Sequence, residues 1–145
     1  MQIIDAHQHF WDPSRGDYSW MPQDNKILNR KYDLEELSKD SRSIDLYKTV
    51  LVQAAATNAE TEYMLNIAEN SDLVSGVVGW VNFEDPNQLK QLKTFAKNPK
   101  FVGVRPMIQD IPDKNWVLNK DFDIFFKTII DLDLSFDALG FPIHL

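Results

Sequence analysis

A chain of 145 residues with a net charge of -7 and a pI near 4.8 can bury one ordinary core, and it is too acidic to grip a phosphate backbone or an anionic membrane. Hydrophobic residues at 43% and charged residues at 26% make a globular rather than a disordered composition. Cysteine is absent, which excludes disulfides and Cys-rich zinc sites. The start, Met1-Gln2-Ile3-Ile4-Asp5, carries no basic stretch followed by an apolar run, and no apolar run approaches the roughly 20 residues of a membrane helix. A cytoplasmic location is therefore expected, with a small molecule rather than nucleic acid or membrane as partner.

In chain order, Ile3-Ile4 leading into Asp5-Ala6-His7 reads as a first strand. Phe10 through Asn29 reads as a long loop of turn formers and aromatics, including Trp11, Tyr18 and Trp20, and a loop of that length in a compact domain tends to be functional. Asp33 to Ser43 reads as a short helix with Leu34 and Leu37 on one face. The continuous apolar run Lys48 to Ala54 fits a strand covered on both faces, the signature of a parallel sheet. Asn58 is placed to cap a helix carrying Met64, Leu65, Ile67 and Ala68.

Val74 to Val81 is the expected third strand, with Gly76 and Gly79 marking close approach of neighbouring backbone. Asp85 as N-cap, Pro86 at N1 and Gln88 at N3 predict the next helix and a capping box, with Leu89, Leu92, Phe95 and Ala96 as its buried stripe. Phe101 to Arg105 is the fourth strand. A helix from about Asp121 follows, with a stripe of Phe122, Phe125, Phe126, Ile129 and Ile130. Leu134 to Leu139 is the expected fifth strand.

Strands alternating with helices require a parallel sheet with right-handed crossovers. An open doubly wound sheet and a (β/α)8 barrel both satisfy this. The first would carry a glycine-rich phosphate loop after its first strand. Here that position holds His7-Gln8-His9-Phe10-Trp11, which favours an α/β chain of the TIM-barrel type with about five βα units.

Asp5-Ala6-His7-Gln8-His9 is the main candidate for chemistry. Residues i and i+2 of a strand share a side, so His7 and His9 would present two imidazoles to one space. At the C-terminal end of a barrel strand that space is the mouth where active sites lie. Two neutral imidazoles suit zinc or a similar divalent ion, and equally suit general-base work or polarising a carbonyl. A bare HxH is more often structural or chance; the position at a first strand end, holding two of the three histidines, brings the functional reading level with the structural one.

The stretch Ile4-Asp5-Ala6-His7-Gln8-His9-Phe10-Trp11-Asp12-Pro13 resembles the opening of the sugar-acid lactonase branch of the amidohydrolase superfamily, whose types include fuconolactonase, rhamnonolactonase and 2-pyrone-4,6-dicarboxylate lactonase. Later blocks are similar in order: Val50 to Ala54, Val78-Gly79-Trp80-Val81, Gly103-Val104-Arg105 and Phe136-Asp137-Ala138-Leu139. The resemblance implies a metal-dependent-hydrolase barrel that opens a lactone by attack of water on the ester carbonyl. It implies His7 and His9 at the reacting centre, with or without one divalent metal such as zinc, and Arg105 on a substrate carboxylate or ring oxygen.

Arg105 suits such a partner chemically, because a guanidinium binds carboxylates bidentately and keeps its charge; an ion pair at a strand end is the structural alternative. Gln53 could donate to a substrate oxygen or be a buried amide satisfied by backbone. Trp11, Tyr18, Trp20 and Trp80 could line a sugar-binding mouth or pack a core. Asp137 and His144 read more simply as structural, and Arg30-Lys31, Lys97 and Lys100 as solvated faces.

The family's barrel has eight strands in about 250 residues. Residues 1–145 are accordingly expected to be the N-terminal part of a single barrel domain. The family's Asp-His pair on its sixth strand and its Asp on the eighth have no counterpart here. Completion by a further segment or by a second copy is the corresponding expectation. A metal phosphoesterase of the PHP type, a catalytically inactive half barrel acting by association, and an open flavodoxin-like sheet are the other readings.

Overall fold

The computed structural model describes residues 1–144. Five strands run in the order β1 (Ile3–Gln8), β2 (Leu46–Val52), β3 (Val74–Gly79), β4 (Phe101–Val104) and β5 (Ser135–Phe136), each paired in parallel with the next. Four α-helices fill the crossovers: α1 (Leu34–Asp40), α2 (Asn58–Glu69), α3 (Gln88–Phe95) and α4 (Asp123–Asp131). A doubly wound sheet reverses its strand order at a switch point. Here sequence order and spatial order coincide, which is the wall of a (β/α) barrel, present as a curled half.

The core lies between the strands and the helices. Leu51, Val77 and Phe101 from the sheet meet Met64 and Ala68 of α2, Leu92 and Phe95 of α3, and Phe125 and Ile129 of α4. A smaller cluster of Tyr18, Met21, Ala54 and Ala55 lies under the aromatic loop. Phe83 joins β3 to α4: its ring stacks on Phe125 at 4.7 Å and meets Trp116, Phe122, Phe126 and Phe136 within 6.2 Å.

Several expected boundaries shift, each for a local reason. The N-cap of α2 is Thr57 rather than Asn58: Thr57 is extended and its Oγ1 accepts from Glu60 N–H at 3.0 Å. Asn58 is instead the first helical residue and donates to Gln88 Oε1 at 2.7 Å, tying α2 to α3. That bond draws Gln88 away from any capping box, and α3 starts at Gln88 with no side-chain cap, while Asp85 closes the turn ahead of it by accepting from Asn87 N–H. The third strand stops at Gly79, where Thr61 Oγ1 accepts from Trp80 N–H and donates to Trp80 O. A Cβ on Gly79 would lie 2.6 Å from Thr61 Cγ2, so the close neighbour is a helix side chain rather than backbone.

The fifth strand is shorter than expected: Ser135–Phe136 pair with β4, and Asp137 N–H adds one further bond to Val104 O. Among the described residues β1 and β5 each pair on one side only. Ile4 on β1 is 61% exposed, and Ile130 of α4 is 76% exposed. Ile130 thus leaves the buried stripe to which its spacing assigned it. No described helix is long and apolar enough to cross a membrane.

Candidate active site

His7 and His9 do converge, although the first strand is not a plain alternation. Between Asp5 and Gln8 two residues of β1, Ala6 and His7, stand against one of β2, Val50, since Asp5 pairs with Thr49 and Gln8 with Leu51. Such a bulge re-aims side chains next to functional sites. Asp5 Oδ1 accepts from His7 N–H at 3.1 Å within it. With His7 in the bulge and His9 just past it, the two rings stand edge to face, with centroids 4.8 Å apart and their Nε2 atoms 3.0 Å apart.

The proton positions follow from the partners. His9 Nδ1 lies 2.8 Å from Val52 O, which can only accept, so the hydrogen sits on Nδ1 and Nε2 of the neutral ring is bare. Burial drives His9 down from 6.5 to about 4, helped by the charges of Arg105 and His7 and opposed by the Val52 bond and Asp137. It is therefore neutral at pH 7. His7 Nε2 faces His9 Nε2 at 3.0 Å and Arg105 Nη1 at 3.3 Å. A guanidinium has no acceptor, so the Arg105 bond requires a bare His7 Nε2, while the imidazole–imidazole bond requires a protonated one. With Arg105 donating, two bare nitrogens point at one spot.

Two imidazoles on a single zinc, each at about 2.0–2.1 Å, have nitrogens separated by roughly 3 Å. The pair therefore fits two positions of a divalent site. Among the described residues no group of three or more His, Cys, Asp or Glu is placed to hold a metal. The Arg105 cation next to His7 works against a second positive charge at the same spot.

Arg105 and Gln53 interlock behind the histidines. Gln53 Nε2 donates to Arg105 O at 2.7 Å, and Arg105 Nη2 donates to Gln53 O. Gln53 is fully buried and is not among the residues that line the cleft, and its Nε2 is bonded to backbone as in the buried-amide alternative. Gln53 Oε1 and Arg105 Nε are buried without a protein partner. Burial lowers the Arg105 pKa from its ordinary value, and Asp137 raises it again. Asp137 thus acts on both Arg105 and His9 through its charge.

A cleft of about 420 Å³ opens above these groups, lined by His7, His9, Trp11, Trp20 and Arg105 and by Met107, Gln109 and Asp110 from the loop after β4. Trp11 and Trp20 meet edge to face with ring centroids 5.8 Å apart. Trp20 Nε1 donates to Ala54 O at 2.7 Å, and Trp11 Nε1 to Leu28 O and Arg30 O. Tyr18 is buried beneath the loop and takes no part in the lining. Trp80 lines a neighbouring hollow of about 270 Å³ with Met107 and Trp116. His144 accepts from Phe141 N–H and closes its own turn. A larger hollow of about 670 Å³ lies between α2 and α3. It contains no histidine and sits at the N-terminal ends of the strands, the end of such barrels that serves stability.

Sequence reasoning missed Glu60, Met107, Gln109 and Asp110. For Glu60 a signal was present: Thr57-Asn58-Ala59-Glu60 has capping-box spacing.

The chain is 35% identical over 142 residues to an L-fucono-1,5-lactonase of Burkholderia ambifaria, covering 98% of this chain and 49% of that protein. It is 31% identical over 143 residues to an L-fucono-1,5-lactonase of Burkholderia multivorans, covering 98% and 48%. A crystal structure of an amidohydrolase from Burkholderia multivorans, described as having bound zinc, superposes with a TM-score of 0.86 at 30% identity, covering 97% of this chain and 50% of that one. The chain spans about half the length of the curated relatives it matches. The family profile described as amidohydrolase begins at Ile4, just ahead of the two histidines, and continues to His144. A match of that extent takes in every strand and helix of the wall along with its site, and the chain belongs to the amidohydrolase family.

Proposed function

We propose that this chain supplies the N-terminal half of a lactone-hydrolysing site, with a sugar-acid lactone such as L-fucono-1,5-lactone as substrate class. The observation that carries the proposal is the convergence of His7 Nε2, His9 Nε2 and Arg105 at one point at the strand ends. The names of the lactonase relatives support the substrate class. Nothing in the site favours a phosphoesterase.

In the proposed reaction water adds to the ester carbonyl carbon. The ring C–O bond then breaks, the ring oxygen takes a proton to become a hydroxyl, and the new carboxylic acid ionises. Arg105 is the group that holds a carboxylate or ring oxygen, because its charge persists even when buried. His9 is held neutral with a bare Nε2, so it can accept a proton or bind a Lewis acid, and it cannot act as a cation near pH 7. His7 is placed to share that task. If a divalent ion is bound, His7 and His9 hold it, and it supplies carbonyl polarisation and a more acidic water. Trp11 and Trp20 offer aromatic faces to the apolar face of a sugar ring.

The open edges of β1 and β5 belong to the same proposal. Apolar strands with one unpaired side invite further strands, from the same polypeptide or from a partner. We place residues 1–145 as the N-terminal part of one barrel domain closed in that way.

Lactone opening releases a proton and is followed with a pH indicator, using the protein purified from its own cells. The His7→Asn variant should lose at least about 100-fold in kcat/KM, the scale of a lost general acid–base or Lewis-acid group, while its unfolding midpoint is retained. Equal turnover by the variant would remove His7 from the mechanism. Hydrolysis of p-nitrophenyl phosphate in place of the lactone would move the protein to the phosphoesterase class.

A further inference from the structure

Glu60 is wholly buried at the third position of α2, yet it does not turn back to its helix end. Its Oε1 accepts from Ala54 N–H at 3.0 Å, six residues earlier on the loop that follows β2. Its Oε2 accepts from Tyr18 OH at 2.9 Å and lies 3.3 Å from Arg15 Nη2. Both of these partners come from the aromatic loop. Arg15 also pairs with Asp17 at 2.6 Å, and Asp17 accepts from Thr57 Oγ1 at 3.2 Å. The Arg15 guanidinium sits 4.1 Å over the ring of Tyr63 on α2.

Burial pushes the Glu60 carboxyl up, and Ala54 N–H, Tyr18 OH and Arg15 pull it back down. Burial also raises the Tyr18 hydroxyl, as does the Glu60 charge, so Tyr18 stays a donor. The peptide that gives its N–H to Glu60 through Ala54 is followed directly by the Ala54 carbonyl, which accepts from the Trp20 indole at 2.7 Å. One carboxylate thus fixes the loop backbone after β2 and, through it, the wall of the cleft.

We propose that Glu60 is a positioning residue that clamps the Trp11–Trp20 loop across the mouth of the cleft, by holding Ala54 with one oxygen and Tyr18 with Arg15 by the other. The clamp deepens the lactonase reading by naming what orients its sugar-facing aromatics, but it stands on contacts that exist without any ligand. A helix needs no such arrangement for its own cap, because Thr57 already supplies it. Loss of the clamp frees Trp20 while the core between sheet and helices is unchanged.

The test is hydrogen exchange of the four tryptophan indole N–H groups, read by ¹H–¹⁵N spectra on the whole chain. In Glu60→Gln, a Gln side chain keeps an acceptor for Ala54 but presents N–H to Arg15. In Glu60→Ala both anchors go. Trp20 N–H should exchange about tenfold faster in Glu60→Ala, the factor expected from one lost hydrogen bond, and by an intermediate factor in Glu60→Gln. Trp116 N–H, bonded to Glu84 at 3.0 Å outside the clamp, should be unchanged. If Glu60→Ala fails to fold, Glu60→Gln carries the test alone. Trp20 protection within a factor of about two of the parent in the folded variants would overturn the clamp. Equal acceleration at Trp116 would also overturn it, by making Glu60 a general stability residue. Neither outcome depends on lactone turnover, so failure of the substrate assignment is read separately from failure of the clamp.

Discussion

Replacing Phe83 by alanine tests whether the loops around the cleft are held by the aromatic cluster. Phe83 is 3% exposed and sits just past β3. Its ring is stacked on Phe125 at 4.7 Å and an interplanar angle of 13°, and four more rings surround it within 6.2 Å. Phe→Ala in a core costs about 3–5 kcal/mol, and aromatic pairs add about 0.5–1.5 kcal/mol beyond burial. The site cannot collapse easily, because its neighbours come from a 3₁₀ turn at Trp116, from α4 and from β5. We expect about 4 kcal/mol, which for a chain of this size lowers the melting midpoint by roughly 12 °C. Phe83→Leu, which keeps most of the volume, should cost about 1–1.5 kcal/mol. Equilibrium urea unfolding followed by tryptophan fluorescence measures both, with Trp116 5.7 Å away as a local reporter. Ile108, in the loop bearing Met107, Gln109 and Asp110, belongs to the same buried cluster as Phe83, so Phe83→Ala should also weaken ligand binding in the cleft. A loss under about 1.5 kcal/mol for Phe83→Ala would refute this packing argument.

Acid should destabilise the metal-free chain through His9. Its folded pKa of about 4 lies below the ordinary 6.5, so protons bind the unfolded chain more tightly. Stability is full above pH 6.5 and falls as pH drops from 6.5 toward 4, by on the order of 2 kcal/mol once partial exposure is allowed for. Urea titrations in chelator at pH 7 and 4.5 should show that fall, and His9→Gln should flatten it; an unchanged slope in the variant would assign the loss to other groups. Gly79→Ala places a methyl 2.6 Å from Thr61 Cγ2 and 2.8 Å from Phe101. It should cost about 2 kcal/mol in the same assay, and a neutral substitution would mean that α2 can withdraw from β3 freely.

Much of the fold is legible in the sequence because periodicity and strand–helix alternation carry it. The continuous apolar run of β2 and the Leu89, Leu92, Phe95 stripe of α3 report burial directly, and the structure buries Leu51, Leu92 and Phe95. Caps are less legible, since Thr57 and Asn58 are both good candidates and only the backbone angles decide. Gln88 has the right spacing for a capping box but a better partner in Asn58, and a bond between residues 30 positions apart is invisible to a four-residue pattern. Ile130 matches the helix period yet faces outward, because a stripe predicts a buried face only where something packs on it.

At the site, the two histidines are visible as a motif, whereas the bulge that aims them is not: it depends on register against β2. For Gln53 and Arg105 the sequence leaves a substrate contact and a structural bond both open, the substrate role of Arg105 resting on the family resemblance. Their mutual backbone bonds could be found only once β2 and β4 were brought to the same mouth. The Glu60 clamp joins residues 42 positions apart, a distance over which no local pattern speaks.

In the proposed site His7, His9 and Arg105 converge on one ligand. The chain has three histidines, and His144 is spent on its own turn, so it serves as an internal control. The most direct measurement is a side-chain ¹⁵N spectrum of the histidines during titration with L-fuconate, the product expected from the lactone. The Nε2 resonances of His7 and His9 should move together and saturate at one ligand per chain, with His144 fixed. No movement at either nitrogen, or movement at His144 alone, would contradict the claim.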